Sequence, residues 1–300
     1  MNKKSILFYL SILILFFFEF SCTKSVSSEN INKNQEVVRI WALADIQPRN
    51  SEEREAFSIA VEDINKNIKD VKFAIVAGDI VHTTDEDTFE WYVQEKKKSY
   101  ISDWYEIIGN HDLKSDRGKL FKKKLRENLN YSINFGNMLF IFLSDELRGK
   151  PTEVSDEVFE WWKILIINNQ DKIITVVTHA PLEGSKIPFS EHEDRQIAES
   201  ERFQKVLKEY KVDLWLSGHL HLPNEFTNTM NRNKKLNDTI FVHISSIRPE
   251  FLGLKHSQSR ILDFLCGKDI VSIKSRDHKW RKWNKELKKD YKLSKIVECK

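Results

Sequence analysis

Seven side chains that can ligate a metal fall at the ends of expected strands: Asp45 and Gln47, Asp79, Asn110, His179, and His219 with His221. His111 and Asp112 follow Asn110 directly. With His111 set aside, the seven comprise two carboxylates, two amide oxygens and three imidazoles. Such a set can hold two divalent cations, one carboxylate bridging metals about 3.5–4 Å apart. Nitrogen and oxygen donors without thiolate suit Mn, Fe, Zn or Ni rather than copper(I) or an iron–sulfur cluster. Glycine stands immediately before Asp79, Asn110 and His219, three of only 9 in the chain. Glycine there lets the backbone turn sharply after a strand and lets a metal or phosphate come close.

The elements that must position these residues follow from the hydrophobic pattern. Buried strands are expected at 37–44, 71–77, 104–108, 173–177 and 212–216, each running into one of the polar residues above. Helices are expected at 51–67, 85–99, near 115–128, at 155–168, and in a segment ending at Tyr210. Residues 131–135 and 138–143 flank Gly136-Asn137 as a hairpin. Further strands are expected near 239–244, 259–265 and 269–274. Strands and helices alternate first and strands dominate later. This predicts an α/β sandwich of two sheets covered by helices. In open α/β sheets the ligand site lies beyond the carboxyl ends of the strands, where these residues fall.

The ordered blocks resemble the calcineurin-like metallophosphoesterase superfamily, whose signature is D-x-H, GD, GNH-[DE], a lone H, then GHxH. Here they read Asp45-Ile46-Gln47, Gly78-Asp79, Gly109-Asn110-His111-Asp112, Thr178-His179-Ala180 and Gly218-His219-Leu220-His221. The resemblance spans about residues 37–245. It implies a four-layer αββα sandwich of two mixed sheets flanked by helices. It further implies one metal on Asp45, Gln47, Asp79 and His221, and a second on Asp79, Asn110, His179 and His219. His111 would act as the catalytic residue, with Asp112 orienting its ring. Gln47 departs from the usual histidine, although some branches are similar in carrying D-x-Q. Its neutral oxygen favours a harder ion, so two divalent ions are expected, Mn ahead of Fe or Zn. The implied activity is hydrolysis of a phosphomonoester, phosphodiester or nucleotide diphosphate by a metal-activated water. The alternative is a surface lipoprotein that uses the scaffold for binding, with weak or no catalysis.

The chain has 300 residues, 40% hydrophobic and 31% charged, which excludes a wholly disordered or collagen-like protein. Net charge is +3, but residues 279–300 carry nine basic and three acidic groups. A mildly acidic body with a basic tail argues against a nucleic-acid partner. The tail itself is expected to be a solvated helix face, with Trp280 and Trp283 available to a membrane interface. At the other end Lys3 and Lys4 precede an apolar run, Ile6 to Phe18, shorter than a membrane span of about 20 residues. Cys22 follows, so the start resembles a bacterial lipoprotein signal. The division expected is a signal at 1–21, a polar tether at 22–36, the phosphoesterase domain at 37–278 and the basic tail at 279–300. The protein would be exported and held in the cell envelope through a lipid on Cys22.

Other polar residues carry weaker signals. His82, three residues after Asp79, is balanced between site and solvated loop. Arg248 could hold a phosphate through its fork, and Asp145 could orient a ligand, but ordinary packing is the expectation for both. His243 is expected to pack, and His192, His256 and His278 belong to no motif. Cys266 and Cys299 are expected to stay unpaired, because chain ends are usually mobile.

Overall fold

The computed structural model describes residues 35–114, 116–146, 152–249 and 256–300. The expected signal, Cys22 and nearly all of the tether lie outside these residues. The elements run β1 (Val37–Leu43), α1 (Ser51–Asn67), β2 (Val71–Val76), α2 (Glu86–Lys97), β3 (Trp104–Glu106), α3 (Lys119–Lys124), β4 (Tyr131–Phe135) and β5 (Met138–Phe142). There follow α4 (Asp156–Asn168), β6 (Ile173–Val177), α5 (Ser200–Glu209), β7 (Leu214–Ser217), β8 (Met230–Asn233), β9 (Thr239–His243), β10 (Gln258–Leu265), β11 (Ile270–Asp277) and β12 (Lys282–Lys292).

These strands form two six-stranded mixed sheets. The first has the order β12-β11-β10-β1-β2-β3 and the second β4-β5-β6-β7-β9-β8. Their facing sides interleave Ile40, Ala42, Phe73 and Ile75 with Phe140, Phe142, Val177 and Leu216. Helices α1 and α2 cover the outer face of the first sheet through Phe57, Ala60, Val61, Ile64, Phe89 and Tyr92. Helices α4 and α5 cover the second through Trp162, Ile166, Phe203 and Leu207. The layers are therefore αββα, as expected. A strand with both faces covered reads as a continuous apolar run, which is why β1, β2, β5 and β6 stand out in the sequence.

Helix α1 begins where Asn50 Oδ1 accepts the Glu53 N–H at 3.0 Å, and acidic Glu52 and Glu53 sit in its first turn. Between the sheets, buried Arg260 of β10 donates from Nε to His243 O at 3.1 Å and from Nη2 to Thr229 Oγ1 at 3.0 Å. That ties β10 to the loop and strand of the opposite sheet.

Two expectations fail at the C-terminus. Residues 282–292 form edge strand β12, antiparallel to β11, rather than a solvated helix in a separate tail. A lysine-rich edge strand also resists pairing with another chain. Cys266 and Cys299 are joined in a disulfide. After β12 the chain doubles back: Leu293 N–H donates to Asp269 O, Val297 N–H to Lys268 O and Gly267 N–H to Val297 O. Ser294 bonds Asp213, and Asn137 bonds Ile296 and Glu298. The end is held by both sheets, so it is not free to wander from Cys266. Strand β8 was not expected at all. Among the described residues no helix is long and apolar enough to cross a membrane.

Candidate metal centre

Backbone pairing continues past the strands and sets the first two carboxylates side by side. Asp45 N–H donates to Gly78 O at 3.1 Å and Gln47 N–H to Asp79 O at 3.0 Å. Asp45, Asp79, His219 and His221 all adopt positive φ, between 53° and 69°. For residues with a Cβ that conformation costs about 1–2 kcal/mol each. Strain concentrated on these positions turns their side chains out of the strand direction and toward one another.

Gly78 and Gly109 show what the glycines are for. A Cβ on Gly78 would meet His179 Nδ1 at 2.6 Å, and one on Gly109 would meet Asp79 Oδ1 at 2.4 Å. The space is taken by neighbouring candidate ligands, so glycine is needed for their close packing.

All seven candidate ligands converge. One donor atom each from Asp79, His179 and His219 lies within 4.8 Å of the others, and so for Asp45, Asp79 and His221. Asp79 belongs to both groups. His179 Nε2 is 3.2 Å from Asp79 Oδ2, 3.2 Å from Asn110 Oδ1 and 3.2 Å from His219 Nδ1. His179 Nδ1 donates to Ala77 O at 2.8 Å, which fixes the ring and turns Nε2 inward. His221 Nε2 is 3.3 Å from Asp45 Oδ1 and 2.9 Å from Gln47 Nε2. Asp45 and Asp79 are themselves held by backbone: His219 N–H donates to Asp45 Oδ2 at 3.0 Å and His111 N–H to Asp79 Oδ1 at 2.8 Å.

The electrostatics are those of a site short of positive charge. Burial opposes ionisation of Asp79, but His179, His111 and His219 outweigh it and hold the carboxyl well below its usual range. Burial likewise opposes charge on His179, yet Asp79, Asp145 and Asp45 lift it well above an ordinary histidine. Burial, then His179, pushes His219 down to about 4. Gln47 Oε1 and His219 Nε2 are buried without a partner. Inward-facing imidazole nitrogens, two buried carboxylates and unpartnered ligand atoms fit divalent cations, which would take the place of the proton on His179.

The neighbours differ from expectation in two respects. Asp112 does not orient the His111 ring. Its Oδ1 accepts the N–H groups of Ile80 and Val81 at 2.9 Å, and Oδ2 accepts that of Gly109 at 2.9 Å. Three fixed donors on adjacent loops are better placed than the neighbouring ring, so Asp112 staples the loops after β2 and β3. Burial, then Asp79, pushes it up to about 8. His111 Nδ1 lies instead 3.0 Å from His82 O and 2.6 Å from Lys114 Nζ, with the His82 ring 4.8 Å away between centroids. Lys114 gave no sequence signal. Arg248, expected to be ordinary packing, sits with Nη2 3.4 Å from His221 Nδ1. Asp145 is buried, and burial pushes its carboxyl up to about 7. His243 does pack: its Nε2 accepts the Leu222 N–H at 3.1 Å.

A two-sheet αββα sandwich with such a cluster beyond its strand ends is the framework of the metallophosphoesterases. The chain belongs to the calcineurin-like phosphoesterase family, whose pattern matches residues 38–223. Its fold is similar to that of purple acid phosphatase PPD1 from yellow lupin (Lupinus luteus) seeds, with a TM-score of 0.63 and 15% identity over 88% of this chain. The chain spans 54% of that protein's length. It is also similar to GAP50, the anchor in the inner membrane complex of Plasmodium, with a TM-score of 0.55 and 16% identity over 87% of this chain and 90% of that one. No curated protein sequence matches the chain significantly.

Proposed function

We propose that this protein is a two-cation phosphoesterase that hydrolyses a phosphomonoester, phosphodiester or nucleotide diphosphate bond. One position would be held by Asp45, Gln47, Asp79 and His221, and the other by Asp79, Asn110, His179 and His219. The observation that carries this reading is the sharing of Asp79 between two groups of converging donors. Bound divalent cations, Mn²⁺ foremost, would neutralise phosphoryl oxygens and lower the pKa of a water. The chain's own residues do the rest. Backbone bonds from His111 and His219 keep both carboxylates turned inward, and Ala77 O keeps the His179 ring in register. His111, at the edge of the cluster beside Lys114, is assigned to the departing ester oxygen. Asp112 acts only by holding the loop that carries His111.

The test strips the purified protein of metal and restores Mn²⁺, Zn²⁺, Fe²⁺ or Mg²⁺ singly. Substrates are p-nitrophenyl phosphate, bis(p-nitrophenyl) phosphate and ADP-ribose, with Asp79→Asn alongside. The expected result is metal-dependent turnover that falls at least about 10³-fold in the variant. A folded wild-type protein that binds no metal and turns over nothing sinks the proposal.

We also propose export and lipidation at Cys22. The charged and apolar start supports this, and the Cys266–Cys299 disulfide suits an oxidising compartment. Intact-mass analysis of membrane-extracted protein should give an acylated chain beginning at Cys22. An unmodified chain, or a soluble cytoplasmic one, would refute it.

A further inference from the structure

Among the described residues, Arg248 stands beside the cluster without an ion pair of its own. Arg248 follows β9, and its backbone N–H donates to Asp45 O at 3.1 Å. Ser246 Oγ lies 3.2 Å from Asp45 O and 2.6 Å from Arg248 O, so Arg248 is fixed to the loop that carries Asp45. Its Nη2 reaches His221, and its Nε is buried with no partner. Glu53, an acid on the facing helix, is bonded to Arg49 at 2.6 Å through Nη2 and 2.7 Å through its backbone N–H. A partly buried guanidinium with an unsatisfied N–H is costly unless an anion completes it. Its fork matches phosphate oxygens.

Counting oxygens assigns the anion. A phosphomonoester dianion has three non-bridging oxygens and a phosphodiester has two. Two bound cations would neutralise two such oxygens, which would leave a charged oxygen only in the monoester. In the diester the remaining position is an ester oxygen, a poor acceptor. We propose that Arg248 clamps the third non-bridging oxygen and so sets this site for phosphomonoesters, or a terminal phosphate, over phosphodiesters. This rests on the phosphoesterase reading above.

The experiment compares wild type, Arg248→Ala and Arg248→Lys, all full-length and Mn²⁺-loaded. Turnover of p-nitrophenyl phosphate and bis(p-nitrophenyl) phosphate is measured, and inorganic phosphate is titrated by calorimetry. Arg248→Ala should lower kcat/KM for the monoester about 30-fold and for the diester less than about threefold, and weaken phosphate binding about tenfold. Arg248→Lys should recover part of both, since it keeps the charge but not the fork. It also keeps the test open if the alanine variant fails to fold. Equal losses on both substrates, or unchanged phosphate affinity, overturn the clamp. A folded wild type that binds no metal and turns over neither of these substrates nor ADP-ribose with any of the four metals overturns the phosphoesterase reading instead. The clamp then stands if phosphate binding depends on Arg248, and falls if it does not.

Discussion

Gln47 turns its amide nitrogen toward Asp79, 3.1 Å from Oδ2, and leaves its carbonyl oxygen buried without a partner. The two ends of an amide have nearly the same shape. A half-turn about the last bond would offer the oxygen to the space among Asp45, Asp79 and His221 and give the nitrogen the orphaned position. On the proposed two-cation reading, Gln47 would then serve as a weak neutral oxygen ligand.

Changing that ligand should therefore shift metal preference more than fold. Gln47→His should tighten Zn²⁺ binding at one of two sites by about tenfold or more, because imidazole suits zinc better than an amide does. Gln47→Leu should weaken one cation about 10- to 100-fold and leave the other nearly unchanged. Calorimetric titration of the metal-stripped protein reads both. A leucine variant that binds two cations as tightly as wild type would remove Gln47 from the ligand set.

Gly109 gives a second test, of packing rather than ligation. A Cβ there would meet the Asp79 side chain at 2.4 Å and its backbone N at 2.5 Å, and the backbone cannot yield cheaply. Gly109→Ala should displace Asp79, abolish cation binding at both positions and cost about 2 kcal/mol or more of stability. Gly267, with φ +74° and nothing within 4 Å of an added Cβ, is the control. Gly267→Ala should cost only about 1 kcal/mol, through backbone strain alone, and leave metal binding intact. Thermal melts and metal titrations of the two variants separate these outcomes.

The contrast explains what was legible in the sequence. Strands β1, β2, β6 and β7 announce themselves as apolar runs, and each candidate ligand sits just past its own strand, so the cluster could be assembled from local signals. Strand β8, Met-Asn-Arg-Asn, has no alternation to read. Strand β12 was expected to be a helix face from its charge run, and Trp283, Leu287 and Tyr291 do not correct that, since recurrence every four residues fits a helix face and a strand face equally. A register shift opposite Ile273–Ser275 then changes the parity, so Trp283 packs on the helix side of the sheet and Tyr291 between the sheets. The role of Asp112 was hidden for a related reason. Adjacency in sequence to His111 says nothing of the three amides that fold onto its carboxylate.

The C-terminal strap should govern stability and not catalysis. Its contacts, Asn137, Asp213 and Cys266, lie at the opposite strand ends from the metal cluster. The disulfide closes a separation of 33 residues, which on chain entropy is worth about 3–4 kcal/mol. Cys299→Ser, or reduction of the native protein, should lower Tm by roughly 10 °C. Turnover at 25 °C should change less than about twofold. A loss of activity ahead of unfolding would show that the strap reaches the site.

The pH dependence of stability should be set in part far from the metals, by Asp63. Arg276 donates to it from Nε at 2.8 Å, and His278 Nδ1 lies 2.8 Å from Oδ2. His278 Nε2 accepts from Ser259 Oγ at 2.7 Å, and Trp41 Nε1 donates to that hydroxyl at 2.9 Å. Burial opposes the Asp63 charge, but the bonds from Arg276 and His278 outweigh it and hold the carboxyl well below the usual range. Burial also pushes His278 below an ordinary histidine, so its neutral form is preferred. Both folded values lie below the unfolded ones of about 3.9 and 6.5. Each group therefore contributes fully above its unfolded value and loses that contribution as pH falls. Stability should decline first from about pH 6.5, as His278 must resist protonation, and more steeply below about pH 4, as Asp63 does. Asp63→Asn strands the buried Arg276 charge and should cost about 3–5 kcal/mol at pH 7, where wild type has the whole benefit. The difference between variant and wild type should narrow as pH falls toward 3. Denaturant melts at pH 7, 5 and 3.5 measure it, and a difference that stays constant across that range would rule out Asp63 as the titrating group.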